Sequence, residues 1–279
     1  MPVLDLLDIR CGEATHVGRV RHLNEDSDLA AWPVYVVADG MGGHQAGDVA
    51  SATAVRVLSG LVGLDAATPA VVRDVVLEAR RQVRALTSDD GLDAGTTLTG
   101  AVVVVQEDEP YWLVLNVGDS RTYLLADGTM EQVSVDHSEV QELVESGELD
   151  PAKAARYARR HVVTRALGAG ADFDVDYWLL PIGVADRLLV CSDGLTGELA
   201  DDEIRGVLVG EASAQDAAER LVDLAVERGG HDNVTVLVVD ASYDGRDEPT
   251  VPRVEPALPA PSDEPDTSTV PRARRESLR

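Results

Sequence analysis

Positive charge is what this sequence has least of. Lysine occurs once, at Lys153, and 24 Lys and Arg together face 50 Asp and Glu, a formal charge of −26. Such a surface repels the phosphates of nucleic acid and the headgroups of anionic membranes, so neither is an expected partner. Cysteine is nearly as scarce. Cys11 and Cys191 show no metal-ligand or redox spacing. Cys191 lies in an apolar run and reads as a small buried hydrophobe, which suits a reducing compartment. No apolar run approaches the roughly 20 residues of a membrane helix. Met1 to Arg10 lacks the basic-then-apolar layout of a signal peptide. The expectation is a soluble, cytoplasmic protein. Aromatic residues make up only 4%, so Val, Leu and Ala must carry the core, and a hydrophobic share of 44% suffices for a sizeable one.

What is present is organised around Val34-Tyr35-Val36-Val37-Ala38-Asp39-Gly40-Met41-Gly42-Gly43-His44. An apolar run stops at an aspartate and then glycines, the pattern of a buried strand ending at a carboxylate, followed by a turn open to close approach. Leu188 to Gly194 repeats the design with Asp193, and Asp232-Asn233 opens the apolar run Val234 to Val239. In an antiparallel sheet the end of one strand lies beside the start of its neighbour, so these three aspartates can meet at one edge. Crowded carboxylates repel, and a hard divalent cation such as Mg²⁺ or Mn²⁺ resolves the conflict.

Between these runs, helices are expected over Asp48 to Leu61, with Val49, Ala52, Ala54, Val55 and Leu58 inward, and from Pro69 to Leu86. Ser88 to Gly95 reads as a loop, Thr96 to Val105 and Tyr111 to Val117 as strands, and Gly118-Asp119-Ser120-Arg121 as a strand-end turn. Pro151 to Arg160 is basic and poor in large apolar groups, an exposed helix pair or a surface flap over the site. Helices at about 201–209 and 213–227 precede the last strand. From Ser242 the composition changes: seven of the 13 prolines fall in residues 249–279. Residues 1–241 are therefore read as the folded domain and 242–279 as a disordered Pro-rich tail. The tail's eight acids and six arginines leave about −24 of the −26 on the folded part. Its repeat, Thr250-Val251-Pro252-Arg253 and Thr269-Val270-Pro271-Arg272, fits chance in a biased tail or a pair of modification sites.

Each motif alone is weak: Arg21 to Ser27, for example, would pass for a solvated turn. In joint order, Arg21 to Ser27, Asp39 to His44, Gly95 to Thr97, Gly118 to Arg121, Asp136 to Ser138, Arg165 to Gly168, Ser192 to Leu195 and Asp232 to Thr235 resemble the bacterial branch of the PPM family, the type-2C metal-dependent protein phosphatases. The resemblance spans about residues 9–240. It implies an α+β fold, a central β-sandwich of two antiparallel sheets flanked by helices, with Mn²⁺ or Mg²⁺ at one end. By resemblance Asp39 bridges two metals, Gly40 offers a carbonyl to the first, Asp193 and Asp232 bind the second, and Asp119 binds a third, weaker one. Glu25 and Asp26 match acids that hold metal-bound waters, and Arg21 the arginine that binds substrate phosphate. The implied reaction is attack of a metal-bridging water on phosphoserine or phosphothreonine in proteins, opposing bacterial serine/threonine kinases, by a monomer whose partners are phosphorylated kinases and their substrates. Where animal-type members carry a histidine after the Asp-Gly pair, this chain has Met41. His44 is then a candidate general acid or a turn histidine. Small regulatory phosphoproteins of the anti-sigma-antagonist type are alternative substrates. A catalytically silent binding module would be expected to lack a metal aspartate, and none is missing. The glycines at 40–43 complete no nucleotide-binding fingerprint.

Overall fold

The structure is a computed structural model, and it describes residues 3–42, 46–65, 67–86, 94–154, 156–169, 173–243 and 255–256. Strands β1 (Leu7–His16), β2 (Asp26–Ala31) and β3 (Val34–Met41) come first, followed by helices α1 (Ala46–Leu58) and α2 (Pro69–Arg84). Then come β4 (Gly95–Thr96), β5 (Leu98–Gln106), β6 (Glu109–Val117), β7 (Arg121–Ala126) and β8 (Thr129–Gln132). Short helices α3 (Glu139–Glu145) and α4 (Pro151–Ala154) lead to β9 (Asp176–Pro181) and β10 (Asp186–Cys191). Helices α5 (Asp193–Thr196), α6 (Asp201–Gly210) and α7 (Ala214–Arg228) precede β11 (Val234–Tyr243), and β12 (Glu255–Pro256) is last.

Two sheets result. One has five strands in the order β1-β11-β10-β7-β8; the other runs β12-β9-β6-β5-β3-β2, with β4 added on β3. Every pairing between strands is antiparallel. The inner faces meet in an aliphatic core that includes Val114, Leu180, Leu188 and Val239, with Trp112 and Tyr35 edge to face at 6.3 Å. Helices α1 and α2 seal the outer face of the larger sheet, and α6 and α7 that of the smaller. This is the sandwich of two antiparallel sheets flanked by helices that the family resemblance implies.

Some details differ. The strand carrying Asp39 does not stop there: it runs on to Met41, because β4 pairs with Gly40 and Met41. Helix α1 buries Ala54 and Leu58 and packs Val55 against the core as expected, but its inward face is rotated away from Val49 and Ala52. Gly47, Ala50, Ser51, Ala54 and Leu58 point inward, while Ala52 and Val49 are exposed, Val49 to 48%. The cause is close backbone packing. A Cβ on Gly40 would stand 2.2 Å from the Gly47 carbonyl oxygen, so only the small-residue face fits against β3. Helix α2 ends at Arg84, and Leu86 is 37% exposed. Strand β11 extends through Ser242 and Tyr243, past the boundary expected at 241, and Glu255 and Pro256 pair with Leu179 and Trp178 of β9. The Ser88 to Asp93 part of the expected loop, His44 and the two Thr-Val-Pro-Arg repeats lie outside the described residues.

Candidate metal centre

Both sheets bring acidic residues to the same end of the sandwich. In the larger sheet Asp26 of β2 sits directly across from Asp39 of β3, two carboxylates on one pleat. In the smaller sheet, β10 ends at Cys191 and Asp193 opens α5, while Asp232 lies just before β11. The Ser192 N–H donates to the Thr235 carbonyl at 3.0 Å, which locks these two chain ends together. Asp119 sits on the turn between β6 and β7, where the chain passes from one sheet to the other.

These groups surround a cavity of ≈ 760 Å³ whose walls include Arg21, Glu25, Asp39, Gly40, Asp119, Asp193 and Asp232. Seven of the eight residues singled out in the sequence thus share one cavity. The eighth, Asp26, lies behind the wall. Its Oδ2 accepts hydrogen bonds from Ser192 Oγ at 2.9 Å and Thr235 Oγ1 at 2.7 Å, and its Oδ1 is buried with no partner.

The supports are local. The Asp39 N–H donates to Thr97 Oγ1 at 2.9 Å, and Thr97 Oγ1 is 2.8 Å from Ser120 Oγ. The Asp39 carbonyl accepts from Thr97 N–H at 2.9 Å and Thr96 Oγ1 at 3.0 Å. Thr96 in turn exchanges backbone bonds with Leu167, so the Arg165 to Gly168 motif braces the floor of the site. Asn233 holds the loop before β2: its Nδ2 donates to the Val17 and Leu23 carbonyls, and its Oδ1 accepts the Glu25 N–H at 2.9 Å. Arg21 reaches from that loop to Asp232 Oδ2 at 2.7 Å. Asp136 is held by a bidentate Arg121 and does not line this cavity.

Crowding sets the protonation. Burial, offset by the Thr235 and Ser192 hydrogen bonds and reinforced by Asp193 and Asp232, pushes the Asp26 carboxyl up to about 7. Burial, then the neighbouring aspartates, drives Asp39 and Asp119 well above the usual carboxylate range. Asp193 and Glu25 are raised as well, burial again being the largest cause. Among the described residues, no three His, Cys, Asp or Glu side chains already converge closely enough to grip an ion. The donor set still fits one. It is all oxygen, it is over-supplied with negative charge, and it includes a buried carboxylate oxygen without a partner, which buried polar atoms rarely lack.

Sequence reasoning missed part of the wall. Arg160, the last residue of the segment read as a flap, lines the cavity, and so do His161 and Val163 just beyond it, which the sequence did not single out. Ser192 and Thr235 stood at the edges of recognised motifs, but no role was assigned to them. Only the fold shows that both hydroxyls converge on Asp26.

A family model for Protein phosphatase 2C matches residues 22–229. Serine/threonine phosphatase stp of Listeria welshimeri is 37% identical over 249 residues, 84% of this chain and 97% of that protein. Serine/threonine protein phosphatase PstP of Mycobacterium tuberculosis is 36% identical over 251 residues, covering 87% of this chain and 47% of PstP. Among solved structures, the catalytic domain of PstP in complex with 2 manganese ions superposes with a TM-score of 0.75 at 34% identity, covering 85% of this chain and 99% of that one. MsPP of Mycobacterium smegmatis, in complex with cacodylate, gives 0.75 at 38% identity, with 82% and 97% covered. With the sandwich, the acidic cavity and these matches in agreement, the chain belongs to the protein phosphatase 2C family.

Proposed function

We propose that this chain hydrolyses phosphoserine and phosphothreonine in proteins at a Mn²⁺ or Mg²⁺ centre built on Asp39, Gly40, Asp193 and Asp232, with Asp119 serving a third, weaker ion. The observation that carries this is the convergence of acids from both sheets on one cavity, with burial and mutual repulsion raising Asp39, Asp119 and Asp193. When bound, the ions supply Lewis acidity and make water in the cavity a better nucleophile.

The protein's own groups do the rest. Arg21 sits at the mouth with its side chain half exposed, so its guanidinium can exchange Asp232 for two oxygens of an incoming phosphoryl group. Glu25, fixed through its N–H by Asn233, accepts hydrogen bonds from water in the cavity. Asp26 acts from behind the wall. Ser192 and Thr235 hold one of its oxygens, which leaves the other for water or a cation. No thiol is needed: neither cysteine lines the cavity, and burial pushes the Cys191 thiol up to about 12. The substrates are phosphorylated kinases and their targets, acted on by a cytoplasmic monomer. Among the described residues no helix is long and apolar enough to cross a membrane.

Phosphate release from a phosphothreonine peptide, with and without Mn²⁺, tests this in wild type and Asp193→Asn. The expected result is Mn²⁺-dependent release that collapses in the variant. A folded wild type releasing no phosphate with Mn²⁺ or Mg²⁺ would overturn the proposal in favour of a binding module.

A further inference from the structure

His137 is buried at 5% exposure and does not line the cavity, yet both backbone groups of Gly118 are bonded to it. The His137 N–H donates to the Gly118 carbonyl at 2.8 Å, and the Gly118 N–H donates to His137 Nδ1 at 3.2 Å. A ring nitrogen that accepts from an amide carries no proton, so the proton sits on Nε2 and is donated to Asp176 Oδ2 at 3.1 Å. Asp176 is fixed in turn. It starts β9 opposite Asn116, and Arg165 lies 3.7 Å from its other oxygen. Asn116 Nδ2 adds a further bond to the Gly118 carbonyl at 3.1 Å. Gly118 has φ +104°, and a Cβ there would stand 2.5 Å from the Thr97 side chain, so the turn is pinned from both sides. The next residue is Asp119.

We propose that His137 is a positioning residue for Asp119: by clamping Gly118 through Nδ1, with its ring oriented by Asp176, it aims the Asp119 carboxylate into the cavity. The inference rests on the reading of Asp119 as an ion ligand. Groups of this kind, behind a ligand, typically govern metal affinity by about 10- to 100-fold.

The test is calorimetric titration of the full chain with Mn²⁺ alone, with thermal melting as the check on folding. Asparagine places its Oδ1 where Nδ1 stands and still accepts from Gly118. Glutamine reaches only the Nε2 position. His137→Gln should weaken the weakest Mn²⁺ equilibrium by about tenfold or more, while the tighter equilibria move by less than about twofold. His137→Asn should restore the weak one to within about threefold of wild type. Asp176→Ala, which leaves Nδ1 in place, should show a smaller loss confined to the same equilibrium, and keeps the test usable if His137→Gln does not fold. Equal losses in the Asn and Gln variants, a parallel shift of all equilibria, or no effect of Asp176→Ala would overturn the proposal. Asp119→Ala separates the underlying reading: if it leaves every Mn²⁺ equilibrium unchanged, Asp119 is not a ligand and the inference falls with that assignment.

Discussion

Asp26→Asn should stabilise this protein and impair it at once. Asp26 Oδ2 takes two hydroxyl hydrogen bonds, Oδ1 has none, and the carboxyl is raised from 3.8 to about 7. A carboxyl raised on folding contributes stability that is fully present below about pH 4 and is lost as pH rises through about 7. The difference between 3.8 and about 7 sets a ceiling on the order of 4 kcal/mol for that loss. Asparagine keeps an oxygen for Ser192 and Thr235 but cannot ionise. In protein stripped of divalent ions with EDTA, urea unfolding should therefore find Asp26→Asn more stable than wild type at pH 8, by about 1–4 kcal/mol. The two should be nearly equal at pH 4. With Mn²⁺ present the order of merit reverses in function, and phosphate release should fall by about 10- to 100-fold. An ion-free variant less stable than wild type at pH 8, or a stability difference that does not change with pH, would refute the reasoning.

Further outcomes follow from other contacts. Gly194→Ala should abolish activity and cost about 3 kcal/mol or more, because its Cβ would stand 1.9 Å from the Asn233 carbonyl oxygen and drive Asp193 away from Asp232; circular-dichroism melting and phosphate release check it. Arg187→Met should cost about 3 kcal/mol in urea unfolding with kcat unchanged. It loses the Asp240 pair and the carbonyls of Leu208 and Glu211 at the start of β10, roughly 20 Å of strand from the cavity. Iodoacetamide at pH 8 should leave phosphate release unaffected, since Cys191 is buried with its thiol pushed up to about 12 and the exposed Cys11 does not line the cavity; inactivation in step with alkylation would argue for thiol chemistry.

The fold and the site were legible to different depths. Strands that end in Asp-Gly, and one that begins after Asp-Asn, announced their own placement because apolar runs and turn residues are local signals. Those runs alone placed three aspartates at one sheet edge; the two-sheet sandwich and the rest of the cavity wall came from the family resemblance that the ordered motifs carry. What stayed hidden depends on approach between distant segments. Val49 and Ala52 looked inward by helical spacing, but the close contact of Gly40 and Gly47 sets the Gly47, Ala50 and Ser51 side of α1 against β3 instead. Ser192 and Thr235 belong to different strands, and only their pairing across β10 and β11 aims both hydroxyls at Asp26. Arg21 read as a phosphate receptor, and the fold adds that Asp232 holds it at the mouth. His161 carried no signal at all, since a lone histidine in a basic segment shows nothing until the chain curls over the cavity.

Calorimetric titration of the full chain with Mn²⁺, comparing wild type with Asp39→Asn, tests the central claim most directly. Asp39 is proposed to bridge two ions, so the variant should lose both tight equilibria together, each weakened by about 100-fold or more, while remaining folded. Tight Mn²⁺ binding that survives Asp39→Asn unchanged would place the metal elsewhere and contradict the account.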